Sequence, residues 1–402
     1  MKSQYIHLFN TDAEHDAAYT RNNSGYTEPW VSYTLENEEV SFNLPHDYSR
    51  DYLTTIAREN GTISFNIWQS MGTNLITSIS YSTDNGATWT TTQNQDNKQQ
   101  HLKIDVNVNT GDKVLWKGTA QQTGFFDEDA YGDAVGSFFS STCEFDAEGN
   151  VMSLLYGDDF IGKDTIEKTN EFVSLFFDKY DGETECGIVN AKNLALPATT
   201  LAYGCYTSMF NGCTSLTSAP ELPATTLAAS CYYGMFKGCT SLTSAPVLPA
   251  TTLANSCYGS MFRDCTSLTS APELPVTTLA EGCYEFMFNG CTSLTSAPIL
   301  PATTLANFCY HGMFESCTSL TSAPELPATT LVNGCYSGMF RGCTNLDYIK
   351  AMFTTAPSTT YTSNWVDGVA ATGTFVKNSV ATWNVTGVNG IPTGWTVQTS
   401  PS

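Results

Sequence analysis

At 402 residues, with 41% hydrophobic and 12% aromatic side chains, the chain has the length for two or three domains and the apolar content to build their cores. Its formal net charge is −22, and 30 of its 39 acidic residues precede Leu196. That balance argues against nucleic acid as a partner, which needs a basic patch, and against adhesion to anionic lipid; it describes a solvated acidic surface.

The N-terminus, MKSQYIHLFNTDAEHD, has one early lysine but lacks the apolar run of roughly 7–15 residues that marks a secretory signal. No stretch approaches the roughly 18 apolar residues of a membrane span. The expectation is a protein assembled in a cytoplasm, with no membrane insertion. Residues 1–50 are polar and weakly periodic, with aromatics scattered through YIHLFN, YTEPWVSYTL and VSFNLP. This composition predicts extended strands and turns that gain order from a partner, as an N-terminal attachment segment would.

Residues 51–156 change to short alternating runs broken by turn signals. GTISFNIW, ITSISYS, TWTTT, LKIDVNV, KVLWKG, STCEFDA and NVMSLLY each have strand character, and DNG, TGD and AEGN mark turns between them. About seven short strands in this span predict an all-β sandwich of immunoglobulin-like type. Within it, Ser82, Asp84, Gly86, Thr88 and Trp89 fit the SxDxGxTW pattern of the Asp-box hairpins found in sialidases. Asp84 and Gly86 shape such a turn while Trp89 packs beneath it, which is a folding role and carries no catalysis. Residues 157–195 read as a worn copy of the repeat unit that begins at Leu196, with FVSLFF in the place of its YxxMF, and hence as an N-terminal cap.

From 196 to 350 one 26-residue sentence is written six times, beginning at Leu196, Leu222, Leu248, Leu274, Leu300 and Leu326. A fixed period of this size marks a stacked array in which each unit buries its face against its neighbours. In the third copy, Leu253, Cys257 and Met261 recur at i, i+4 and i+8 and predict a short amphipathic helix, with Thr252 as its N-cap. Residues 267–271, SLTSA, alternate as a strand ended by Pro272. The unit expected is therefore strand, turn, helix, turn, that of an α/β leucine-rich-repeat solenoid.

Twelve of the fourteen cysteines fall at two fixed phases of the repeat, eight apart within each copy, as in Cys205 and Cys213. No CxxC or Cys/His cluster has zinc-ligand spacing, so two ladders of reduced thiols filling core positions are expected, with no metal and no cofactor. Edits between copies cluster before Cys-Tyr and around Met-Phe, at Tyr203, Tyr233, Lys237, Arg263, Phe286, Phe308, His311, Glu315 and Arg341. Recognition needs diversified side chains, so Tyr203, Tyr233, Lys237, Arg263, Phe286, Phe308, His311 and Arg341 are the candidate ligand-binding residues; neutral drift at exposed positions accounts for the same pattern. The tyrosines at 206, 232, 258, 284, 310 and 336 form a ladder read either as a sugar-stacking row or as inter-repeat packing. Residues 351–402 carry a helical stretch near SNWVDGV, then TGTFVK and IPTGWTVQ as small strands, and Trp365, Trp383 and Trp395 to cover the open end as a C-terminal cap.

Nothing in the chain assembles a catalytic site. The histidines at 7, 15, 46, 101 and 311 are scattered, and no GxSxG or phosphate-binding glycine loop occurs. The acidic pairs Asp127/Asp129 and Asp158/Asp159 read as solvated loops rather than a calcium site.

The unit LPxTTLAxxCYxxMFxxCTSLTSAPE resembles the BspA-type leucine-rich repeats of Bacteroidetes surface proteins and of phages that infect them. DNGATW, GDKVLWKG and GNVMSLLYGDDF before the repeats, and TGTFVK and GIPTGWTV after them, look like the flanks of the same architecture. The resemblance implies adhesion or recognition without enzymatic activity. The leading expectation is a phage virion protein, a head or tail fibre or decoration, whose residues 1–50 dock on other virion proteins and whose array meets host-surface glycan or protein, as a homo-oligomer. A bacterial cell-surface adhesin is the alternative, and a glycan-active enzyme a distant third.

Overall fold

The computed structural model describes residues 30–35, 38–43, 46–69, 78–93, 100–119, 126–128, 134–177 and 186–400. Met1–Tyr48 and Ser49–Ser402 are separate compact units. In the first, β1 (Trp30–Leu35) pairs antiparallel with β2 (Glu38–Asn43), Trp30 opposite Asn43 and Leu35 opposite Glu38. Residues 1–29 of the expected attachment segment lie outside the described residues.

The second unit opens with β3 (Leu53–Ala57), β4 (Gly61–Gln69), β5 (Ser78–Ser82), β6 (Thr90–Gln93), β7 (Gln100–Val108), β8 (Lys113–Gly118), β9 (Phe126–Glu128), β10 (Ala134–Ser141), β11 (Phe145–Asn150), helix α1 (Ser153–Tyr156) and β12 (Ile188–Ala195). Two sheets result, in the orders β7-β4-β10-β9 and β12-β11-β3-β8-β5-β6. Alternation along β4 turns Ile63, Phe65 and Ile67 inward. There Phe65 meets Phe139 of β10 at 4.8 Å and Trp116 of β8 at 6.0 Å between ring centroids. The buried indole N–H of Trp116 donates to Thr55 Oγ1 at 3.0 Å.

The immunoglobulin-like expectation is corrected by this topology. An immunoglobulin sandwich divides its strands four and three; these sheets hold four and six, and the sixth strand, β12, arrives from beyond residue 156 and runs parallel to β11. NVMSLLY, read as a strand, contains α1 instead. Its buried Ser153 hydroxyl accepts the Leu53 N–H and donates to the Trp116 carbonyl, tying the turn to β3 and β8.

β12 has neighbours on both edges. On its far side Thr217 N–H donates to the Val189 carbonyl at 2.8 Å and Ala191 N–H to that of Ser218 at 3.0 Å. The cores join as well, since Phe139 stacks on Phe176 at 5.2 Å and Phe176 on Phe210 at 5.3 Å. Phe172 likewise stacks on Tyr206, so 172–176 contribute the same two ring columns as the repeats.

The α/β leucine-rich-repeat solenoid is overturned. Residues 196–350 contain no α-helix and no strand before β13 (Tyr348–Ala351), and the second unit is nearly all-β outside its turns. Neighbouring copies share isolated bridges, such as Thr226 with Thr252, Ser270 with Ser296 and Thr278 with Thr304. Numbering each copy from its first leucine, positions 9, 13 and 17 have positive φ in all six, from Gly204 (63°) to Gly342 (74°). A left-handed residue at every fourth position forbids an α-helix. Backbone N–H groups at even positions close tight turns, as in Thr207 to Gly204 and Asn211 to Ser208. Those at odd positions donate to the next copy, Gly204 to Ala229, Tyr206 to Cys231, Ser208 to Tyr233, Phe210 to Met235 and Gly212 to Lys237, at 2.7–3.0 Å. The i, i+4, i+8 stripe is therefore the signature of a four-residue turn.

Inside this ladder the Cys-Tyr and Met-Phe pairs point inward. The tyrosines stack ring on ring at 5.7–6.0 Å, and the phenylalanines at 5.4–5.9 Å. Both columns are buried, so the tyrosine row is packing and offers no ring face to a sugar. All fourteen cysteines are buried thiols, none of them in a disulfide. The second cysteine of each copy donates from Sγ to the phenylalanine carbonyl of the preceding copy, as in Cys239 to Phe210 at 3.1 Å.

At the far end β13 is followed by β14 (Thr374–Lys377) and β15 (Thr396–Thr399) in one parallel sheet. The predicted helix near 363–369 is again turns, and Trp365 enters the methionine column, its carbonyl accepting the Phe340 N–H. Each indole N–H here finds a carbonyl: Trp365 with Gly390, Trp383 with Phe353, and Trp395 with Ala370.

Burial pushes the Cys257 and Cys335 thiols up to about 11 and Cys205 to about 12, so they stay protonated and unreactive at neutral pH. Ellman's reagent at pH 8 is therefore expected to label few thiols in the native protein and all fourteen in guanidinium; rapid native labelling of the repeat cysteines would contradict this packing.

Candidate functional site

The turn ladder leaves positions 8, 12 and 16 outward-facing beside the left-handed positions. These are the places where the copies differ, and the third to sixth copies gather unlike side chains there. The His311 ring lies 4.6 Å from Phe286 and 5.9 Å from Phe308, and its Nδ1 is 2.9 Å from Glu285 Oε1. The Arg263 guanidinium stands 5.7 Å from the Phe286 ring centre and 3.5 Å from Asp264. Arg341 clasps Glu315, its Nε at 2.8 Å from Oε1.

Phe286 and Phe308 have φ of 53° and 55°. Elsewhere these left-handed positions hold glycine, serine or, once, aspartate. A bulky side chain there costs ~1–2 kcal/mol, and backbone strain of this kind is concentrated at functional surfaces. Both rings are half-exposed and lie along the next copy, over Gly312 and Gly334, where a Cβ would overlap them. The strip thus combines flat apolar faces with hydrogen-bonding charges, which suits binding.

Of the residues singled out in the sequence, Arg263, Phe286, Phe308 and His311 are brought together. Arg341 joins Glu315 in its own pair, and Lys237 occupies Arg263's phase one copy earlier. Tyr233 is exposed with its ring against Gly259, and Tyr203 stands 55% exposed two copies away from Arg263. Glu285 escaped the sequence reading. The signal for it was simple: Glu285 and His311, like Glu315 and Arg341, are 26 apart, so each pair occupies one phase of adjacent copies.

Elsewhere, the Asp-box turn is built as its residues require. Asp84 accepts from the Ser82 hydroxyl and from the backbone and hydroxyl of Thr88, at 2.6–2.8 Å. The two Thr88 bonds, then that from Ser82, hold its carboxyl at about 2. Trp89 meets Tyr52 edge-on at 5.1 Å, with the Lys117 ammonium 4.1 Å from its ring centre and 2.7 Å from Asp158. The Asp84 and Asp158 carboxylates, the Lys117 ammonium and the Tyr52 hydroxyl are each hydrogen-bonded within the fold. Among the described residues no group of three or more His, Cys, Asp or Glu side chains is placed to hold a metal, and no helix is long and apolar enough to cross a membrane.

Four buried side-chain atoms among the described residues lack a hydrogen-bond partner, Glu171 Oε2, the Tyr206 and Tyr232 hydroxyls and Arg263 Nε, and of these Glu171 is the carboxylate. It takes the position of the first repeat cysteine one rung before Cys205, is 2% exposed, and its Oε2 has no hydrogen-bond partner. Burial raises its carboxyl to about 8 from 4.5, with Lys168 opposing weakly. The folded state therefore keeps a proton that the unfolded chain releases above about 4.5, and stability falls as pH rises from there to about 8, at ~1.4 kcal/mol per pH unit. Glu171→Gln should leave the thermal midpoint little changed at pH 5 and raise it at pH 9; equal shifts at both pH values would contradict the assignment.

A second expectation concerns strain. Phe308→Gly relieves ~1–2 kcal/mol of backbone cost and loses about as much half-buried apolar contact, so the urea midpoint should barely move. Phe314→Ala, in the buried column, should cost about 3–5 kcal/mol. Comparison of the chain with protein-family models, with curated proteins and with solved structures found no match.

Proposed function

We propose that this chain is a non-enzymatic phage virion protein, a head or tail fibre or decoration, that presents its repeat array for recognition of a host-surface glycan or protein. The observation that carries the recognition reading is the pair of phenylalanines held at positive φ, half-exposed, beside Arg263 and His311. A fold selected for stability alone has no use for that cost, since glycine fills the same positions in other copies. The setting rests on the likeness of the repeats to those of Bacteroidetes surface proteins and their phages. Residues 1–50 are assigned to docking on other virion proteins. The same likeness supports the second reading, a bacterial cell-surface adhesin of BspA type.

Fluorescently labelled protein tested on a panel of Bacteroidetes cells should bind a subset, and Arg263→Glu combined with Phe308→Gly should weaken that binding about tenfold, equivalent to ~1.4 kcal/mol. Unchanged binding by this variant would remove the assigned face. Antibody labelling of purified particles separates the carriers: signal on bacterial envelopes and none on virions selects the adhesin. Release of reducing sugar from host polysaccharide by the purified protein would overturn the non-enzymatic assignment.

A further inference from the structure

The C-terminal end of the second unit differs from the rest of the chain in charge. Residues 352–402 contain one acid, Asp367, and one base, Lys377, so they are net neutral in a protein of −22. Four valines in this short span are solvent-exposed, Val380 (71%), Val385, Val388 and Val397. β15 closes the three-stranded sheet and all four of its residues are exposed. Thr396 and Ser400 donate their N–H groups inward, to the carbonyls of Gly373 and Lys377. By the alternation of a strand, the N–H groups of Val397 and Thr399 face the other edge, where no further strand is paired among the described residues. An unpaired edge of this kind is a template for strand addition.

We propose that β15 pairs antiparallel with β15 of a second copy of this chain, making a two-fold dimer through the C-terminal end. The occupant follows from charge and sequence. Two molecules of charge −22 repel over most of their surfaces, and this is a segment where they meet without that penalty. A two-fold axis at Val397 sets Val397 opposite its own copy and Thr396 opposite Gln398, so that outward N–H and carbonyl groups face one another, with no like charges across the pair. A four-residue ladder is too small to hold a dimer alone, and the exposed Val380, Val385 and Val388 of the same C-terminal span are the apolar surface available to enlarge it.

Sedimentation velocity on the full-length protein from 1 to 100 μM should show the mass doubling with concentration. Val397→Lys places two ammonium groups side by side across the axis, and Thr399→Pro removes an outward N–H while leaving the bonds to Gly373 and Lys377 intact. Each should shift the dimer to monomer at 100 μM and leave the thermal midpoint unchanged at 1 μM, where the chain is monomeric and both residues are exposed. A monomeric wild-type protein at 100 μM overturns the proposal, as does a dimer that persists in both variants. Dimer lost in Val397→Lys but kept in Thr399→Pro also overturns it, since contact through the valines without strand pairing is a different interface.

Discussion

The hydrogen bond from each odd-numbered N–H of one copy to the next copy's carbonyl is what the repeat array depends on. An isolated run of turns leaves alternate donors unsatisfied, and burying such donors costs more than a hydrogen bond returns. Stacking a second copy at 2.7–3.2 Å satisfies them together. The geometry that aims those groups along the stack is the left-handed residue at every fourth position. With it, two inward residues alternate with two outward ones, the inward pairs become Cys-Tyr and Met-Phe, and identical residues one period apart meet in columns.

Columns need ends, and both ends of this one are chemically distinct. At the start, Phe172 and Phe176 continue the ring stacks while Glu171 replaces a cysteine, which places an ionisable group at the junction with the two sheets. At the finish, Trp365 replaces a methionine and turns the columns into a cluster of Phe353, Phe375 and Trp383 with mixed edge and stacked contacts. The parallel strand β12, bonded to β11 on one side and to the first copy on the other, makes sheets and array share backbone as well as core.

Legibility in the sequence tracked locality. The 26-residue period, the core role of the cysteines and the Asp-box turn were all readable, because each is declared by residues close in sequence. The helix was not, since a stripe at i, i+4 and i+8 fits a period of 3.6 and a period of 4 alike; the deciding signal was glycine or serine at Gly204, Ser208 and Gly212, spaced by four, where a helix avoids such residues. The immunoglobulin-like topology failed for a different reason. β3, β9 and β10 carry weak strand patterns, and the place of β12 in the sheet is set by parallel pairing across more than forty residues, which no local pattern announces.

The same ladder changes how variation between copies is to be weighed. Drift at an exposed, unconstrained position leaves no energetic trace, but positions 9, 13 and 17 are constrained, and only glycine occupies them without steric cost. Serine and aspartate are tolerable there because they are small and polar, whereas Phe286 and Phe308 are neither. Both fall in adjacent copies, flank one histidine, and are joined by charged residues paired across a single period. Independent drift has no reason to place two costly residues around the same ring, so the candidate recognition strip rests on the energy of its backbone as well as on its exposure.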